Sequence, residues 1–261
     1  MRSGALFVGR KTCLGALVCF AAGSCLAASV DIRIEGLEAE LRDAALASLD
    51  LRRYAERDIT PIQVRRFFDR GDEQIVQALQ PYGYYAARVE SELTEKEPEK
   101  FVATYRVQRG DPVIVRNANV RIVGDATELA DVQSALEDFR PRVGEPLDHS
   151  AYENSKTAID TQLQALGFFD AKLVEHRVEV LQSANSADIK LQWDSHERYR
   201  YGDVNFTKSQ FPEDFLQRYV PWREGDFYSA VDLLTLQQRL VDAEYFSSVS
   251  IQPDLEKLEG D

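Results

Sequence analysis

Two short patterns recur in the same order along this chain, and the recurrence limits the fold more than any composition does. A strand-like signature, in which two apolar residues alternate with polar ones before a turn, stands at Ile32-Arg33-Ile34-Glu35-Gly36. It returns at Val120-Arg121-Ile122-Val123-Gly124 and at Val204-Asn205-Phe206-Thr207-Lys208, 88 and 84 residues further on. An aromatic pair closes a helical pattern at Gly83-Tyr84-Tyr85-Ala86, Gly167-Phe168-Phe169-Asp170 and Glu244-Tyr245-Phe246-Ser247, with spacings of 84 and 77 residues. Two independent markers at nearly one period imply three homologous modules, each of about 65 to 90 residues.

Between the markers each module carries two amphipathic helical patterns. The second module shows Leu129, Val132, Leu136 and Phe139, then Tyr152, Ile159, Leu163 and Leu166. The first offers Leu37, Leu41, Ala45 and Leu49, then Phe68, Ile75 and Leu79; the third offers Phe215, Leu216 and Val220, then Leu233, Leu236 and Leu240. Ser150-Ala151-Tyr152-Glu153 reads as a capping box, Ser229-Ala230-Val231-Asp232 as its shorter equivalent, and Thr60-Pro61 as a cap with a first-turn proline. Gly83 and Gly167 suit the left-handed residue that ends a helix, with both following aromatics plugging the gap between helix and sheet. Hairpins follow at residues 86–93 with 101–107 and at 171–180 with 187–193, whereas the third module has only 248–253. The expected fold is α+β, three tandem β-α-α-β-β modules, the third lacking its final strand.

Arg2, Arg10 and Lys11 precede an acid-free apolar run from Cys13 to Ala22 that ends in small residues through Ala28, the pattern of a secretory signal peptide. The expected divisions are therefore 1–28 for the leader, then modules at 29–110, 111–195 and 196–261. All three cysteines, Cys13, Cys19 and Cys25, lie in the leader, so the remainder can build no disulfide, thiol nucleophile or cysteine zinc site. Cys25 as a lipid acceptor is the weaker alternative, because Ala22-Gly23-Ser24 lacks the usual leucine. Loss of three basic residues and no acid shifts the net charge from −13 to −16, which disfavours nucleic acid and anionic membrane surfaces. Beyond the leader no run of apolar residues is long enough to cross a bilayer as a helix.

Sites for chemistry are scarce. His149, His176 and His196 form no pair at metal-ligand spacing, no serine stands on a strained turn between glycines, and no glycine-rich phosphate loop is present. No catalytic residue, cofactor or metal is expected, and the chain reads as a non-enzyme. Residues 95–100, with five charged side chains around Pro98, read as a solvated turn. Arg198, Tyr199 and Tyr201 alternate along one side near a boundary and read as packing between modules.

The order of elements, together with Gly83-Tyr84-Tyr85, Gly144-Glu145-Pro146-Leu147, Tyr152-Glu153-Asn154, Gly167-Phe168-Phe169-Asp170, residues 197–202 and residues 220–226, resembles the POTRA domain of the BamA/TamA superfamily of outer-membrane proteins. Within it the chain is most similar to the TamA family. Two departures stand out: Glu244 replaces the helix-ending glycine, and no segment supplies the β-barrel of family members. The resemblance implies a periplasmic location as part of an outer-membrane protein. It also implies that the strand after each aromatic pair is an open edge that binds extended protein segments, here through Ala87, Val89, Ser91, Lys172, Val174 and His176. Unfolded β-barrel or autotransporter clients and a TamB-like inner-membrane-anchored partner are the implied partners. A BamA-like insertase, a two-partner secretion transporter and a free-standing periplasmic scaffold remain the alternatives.

Overall fold

The computed structural model describes residues 28–255, apart from 56 and 58; the expected leader lies outside the described residues, except for Ala28. Two three-stranded sheets follow one another along the chain. The first is built from β1 (Ser29–Glu35), β2 (Arg88–Glu97) and β3 (Lys100–Gln108), in the order β1-β3-β2. The second is built from β4 (Ile114–Val123), β5 (Lys172–Leu181) and β6 (Ser186–Asp194), in the order β4-β6-β5. In each, the last strand in sequence is the central one, parallel to the first and antiparallel to its hairpin partner.

That topology explains the strand sequences. A central strand packed on one face alternates apolar and polar residues, and Phe101, Ala103, Tyr105 and Val107 on β3 are all buried. Ala187, Ile189, Leu191 and Trp193 do the same on β6. Helices cover only this face. In the second module they are α5 (Ala130–Glu137) and α6 (His149–Ala165), which bring Val132, Tyr152, Ile159 and Leu163 onto the sheet. Trp193 anchors α6 by donating its indole hydrogen to Asp160 Oδ1 at 2.7 Å.

The first module departs from the two-helix expectation. Its helical layer is four short pieces: α1 (Ala39–Ser48), α2 (Asp50–Ala55), α3 (Pro61–Phe68) and α4 (Gly71–Leu79). The break before α4 has a packing counterpart at Gly71, where a Cβ would lie 2.3 Å from the Tyr105 hydroxyl oxygen. Only a residue without a side chain lets the backbone approach the sheet so closely. Thr60 caps α3 reciprocally with Gln63, and Pro61 occupies the first turn. The cap expected at Ser150 is instead Asp148, whose carboxylate accepts from the Ala151 amide at 3.0 Å, so α6 begins earlier. Ser229 does hold the N-cap position of the last helix, without a side-chain cap bond.

The third module consists of α7 (Glu213–Leu216), a single 3-10 turn at Gln217–Tyr219, and α8 (Ala230–Asp242). Leu216, Leu236 and Leu240 form its buried centre, with Phe206, Val249 and Ile251 packed against them. The strands expected at 204–206 and 248–253 do not form. In the two sheets a last, central strand stands between the corresponding segments, and no such strand occurs among the described residues here. Alternating burial nonetheless persists: Val204, Phe206, Val249 and Ile251 are half-buried, while Asn205 and Ser250 are exposed.

Candidate protein-binding edges and module junctions

Four strands border the two sheets, and they are not equally open. The beginnings of β1 and β4 are already bridged, Ala28 by Ile59 and Ile114 by Pro146. β2 and β5 are ten residues long, each pairs with its central strand alone, and no bridge occupies the other side among the described residues. Unpaired amides and carbonyls along such an edge can accept another strand.

Of the sequence-derived edge residues, Val89 and Ser91 lie on β2, half-buried and opposite Val107 and Tyr105, so their side chains face the helices. Ser91 donates to Asp72 Oδ2 on α4 at 3.0 Å. Ala87 is buried and precedes the strand by one residue. Lys172, Val174 and His176 are exposed on β5. Val174 stands in the register shift between Leu173 and Glu175, where the extra residue leaves it 55% exposed. What the two edges share is therefore backbone rather than a common side-chain pattern.

The junctions are built by repetition. At the first, the Val113 amide donates to the Gly83 carbonyl and the Leu147 amide to the Val113 carbonyl, both at 2.8 Å. At the second, the Tyr199 amide donates to the Gly167 carbonyl at 2.9 Å, and the Tyr228 amide to the Tyr199 carbonyl at 3.0 Å. Each module thus starts by bonding to the left-handed glycine that ends the helices of the one before. Both glycines have φ near 90°, and at Gly167 a Cβ would stand 2.9 Å from Tyr228 Cβ.

The same turn closes both joints. In Arg142-Val143-Gly144-Glu145 the Arg142 amide donates to the Glu145 carboxylate at 2.8 Å; in Arg223-Glu224-Gly225-Asp226 the Arg223 amide donates to Asp226 at 2.8 Å. Gly144 and Gly225 supply the positive φ, and their amides bond to Val115 and Tyr201 carbonyls. An Arg-x-Gly-acid signature repeated at a spacing of 81 residues was visible in the sequence, but without coordinates nothing tied it to a joint.

Arg198, Tyr199 and Tyr201 gather at the second joint. Arg198 donates to the Leu166 carbonyl at 2.7 Å and the Tyr228 carbonyl at 3.1 Å, with its guanidinium 4.8 Å from the Phe227 ring. Burial, reinforced by the neighbouring Arg200 charge, pulls its pKa down. Tyr199 donates to Asp170 at 2.8 Å, and Tyr201 stacks on Trp222 at 4.2 Å while donating to the Ser229 carbonyl at 2.7 Å.

The aromatic pairs divide their labour, a correction to the reading of both members as fillers of their own module. Phe168 is fully buried in the second core and Tyr84 packs in the first. Their successors point onward. Tyr85 packs against the second module's core with its hydroxyl 2.7 Å from His149 Nε2, and Phe169 contacts Tyr199 and Tyr228 with ring centres 5.6 and 4.8 Å away. In the third copy Tyr245 is 52% exposed and Phe246 meets Phe211.

His176 and His196 are exposed, and no group of His, Cys, Asp and Glu suited to a metal ion occurs among the described residues. The charged turn carries Glu99 at φ 65° with a Lys100–Glu97 ion pair at 2.6 Å. No described helix is long and apolar enough to cross a membrane.

Sequence comparison places these features in a family. The model described as POTRA domain, TamA domain 1, matches residues 31–109. The POTRA model, described as surface antigen variable number repeat, matches 115–192 and 199–260. Among solved structures, the chain is similar to POTRA3-5 of BamA from Haemophilus influenzae, with 17% identity, 86% of this chain and 88% of that one covered, and a TM-score of 0.43. POTRA1-3 of the periplasmic domain of Omp85 from Anabaena gives 16% identity, 85% and 86% coverage and a TM-score of 0.33. The N-terminal domain of Omp85 from Thermosynechococcus elongatus gives 16% identity, 86% and 89% coverage and a TM-score of 0.33. With two matches of the POTRA model and a TamA-type first module, the chain belongs to the POTRA family and is the POTRA region of a BamA/TamA-superfamily protein.

Proposed function

We propose that this chain is the non-enzymatic periplasmic scaffold of a TamA-like assembly factor of the outer membrane, reached by export on a leader at 1–28 and organised in modules at 29–110, 111–195 and 196–261. The observation that carries the reading is the pair of ten-residue strands β2 and β5, open along one side while the starts of β1 and β4 are bridged. An unfolded β-barrel or autotransporter client adds a strand there through main-chain hydrogen bonds. Ala87, Val89 and Ser91 flank the first added strand, and Lys172, Val174 and His176 the second. Arg198, Tyr199 and Tyr201 pack the second joint and hold the third module on the second. A TamB-like inner-membrane-anchored protein is the docking partner, and the TamA match over residues 31–109 supports that assignment.

Hydrogen exchange of the protein with and without a urea-unfolded outer-membrane β-barrel polypeptide tests the edge reading. Amide protection is expected within residues 88–97 and 172–181. Val89→Pro or Val178→Pro, which removes one donor and obstructs pairing, should abolish it at the altered edge. Client binding that protects other segments and leaves both strands unchanged would refute the reading.

A further inference from the structure

The two edges differ in charge, and the first borders a groove with an acid at its wall. Between α4 and β2 runs an open groove of about 650 Å³, floored by Val76, Ala87 and Val89 and bordered by Asp72, Glu73 and Arg88. Asp72 stands deep at its wall. One carboxylate oxygen accepts from Ser91, while the other, Oδ1, is shielded from solvent and has no hydrogen-bond partner among the described residues. A buried carboxylate oxygen without a donor is costly, and a cation beside it removes that cost. Of the acids on β2, Glu92 pairs with Arg106, Glu95 with Arg65 and Glu97 with Lys100, while Glu90 is exposed and alternates away from the face of Val89 and Ser91. On β5 the acids are likewise engaged, Glu175 with Lys190 and Glu179 with Arg177.

Strand addition to β2 sets the reach. A new strand runs about 4.8 Å from β2, and alternate side chains turn toward the helix layer on the same face as Val89 and Ser91. A residue beside Val89 meets the apolar floor. One two positions along, beside Ser91, lies within a side chain's length of Asp72. We infer that the first edge selects an extended segment carrying a lysine or arginine on its inward face next to an apolar residue, with Asp72 as the counter-charge. The inference rests on the edge reading above and adds to it a chemical preference that backbone pairing alone cannot give.

Nine-residue peptides of alternating apolar and polar residues, identical except for lysine, norleucine or glutamate at one inward position, provide the probe. Binding to the protein is followed by fluorescence anisotropy, and the site is located by hydrogen exchange. The lysine peptide is expected to bind about tenfold more tightly than the glutamate peptide, as one partly buried charge pair would give. Its amide protection should fall on residues 88–97. Asp72→Asn, which keeps an acceptor for Ser91, should reduce the preference to less than about twofold, and Glu73→Gln serves if that variant fails to fold, with a smaller loss expected. Equal protection of 88–97 by all three peptides would overturn the charge selection while leaving strand addition intact. Peptide binding that leaves 88–97 unprotected would overturn both.

Discussion

Single side chains in this protein separate cleanly into those that hold a module and those that hold a joint. Phe168 is fully buried, so Phe168→Ala is expected to cost about 3–5 kcal/mol and lower the thermal midpoint of the second module. Phe169→Ala should cost less and instead loosen the contact with Tyr199 and Tyr228, which tyrosine fluorescence or cross-joint distance measurements can follow. The sequence pattern made the pairs conspicuous but could not divide their roles, because two adjacent aromatics after a glycine point in directions set by the neighbouring module. Tyr152 carries a second residue-scale test. Its ring packs edge-on to Phe139 and under Lys156, whereas its buried hydroxyl has no partner among the described residues. Tyr152→Phe keeps the packing and removes the unmet group, and should raise stability by about 1 kcal/mol in chemical denaturation. Burial, with help from Glu153, pushes the Tyr152 hydroxyl from 10.0 up to about 12, and burial does the same for Tyr201 against the opposing bond to Ser229. Both phenols ionise more readily in the unfolded chain. The stability they support is therefore complete below pH 10 and falls as pH climbs through about 12. Alkaline denaturation of Tyr152→Phe should be correspondingly shallower in that window.

At the scale of elements, helix ends show where sequence rules held and where chemistry overrode them. Gly83 and Gly167 take the left-handed conformation their position requires. Glu244 takes it too, at φ 57°, although its Cβ makes that conformation unfavourable by about 1 kcal/mol. Glu244→Gly is therefore expected to stabilise the end of α8 by roughly that amount, measured as a rise in the midpoint of the third module. The second-module cap falls two residues before its expected place because Asp148 and Ser150 both suit the position. Only the turn at residues 142–147, fixed by its bonds to β4, decides between them. The four-piece helical layer of the first module was hidden for a related reason: the close approach of Gly71 to Tyr105 is a long-range fact with no local signature. Asp72 likewise has no local signature and is one acid among many until β2 lies beside it.

For the molecule as a whole, the repeat was legible because every module must bury one sheet face under helices, and that demand writes the same alternation three times. Pairing was not legible in the third copy. There the segments 203–209 and 247–254 keep half-buried apolar residues without joining a sheet. Their amides should exchange fastest among the non-terminal segments of the protein, and those of β3 and β6 slowest. Uniformly slow exchange across all three modules would contradict this. The two joints carry a different consequence. Each is fastened by the same pair of amide-to-carbonyl bonds and the same Arg-x-Gly-acid turn. The open edges β2 and β5 stand on either side of the first joint alone, so a variant that loosens the bonds among Gly83, Val113 and Leu147 should cost a polypeptide that spans both edges its avidity while leaving its affinity for either edge unchanged.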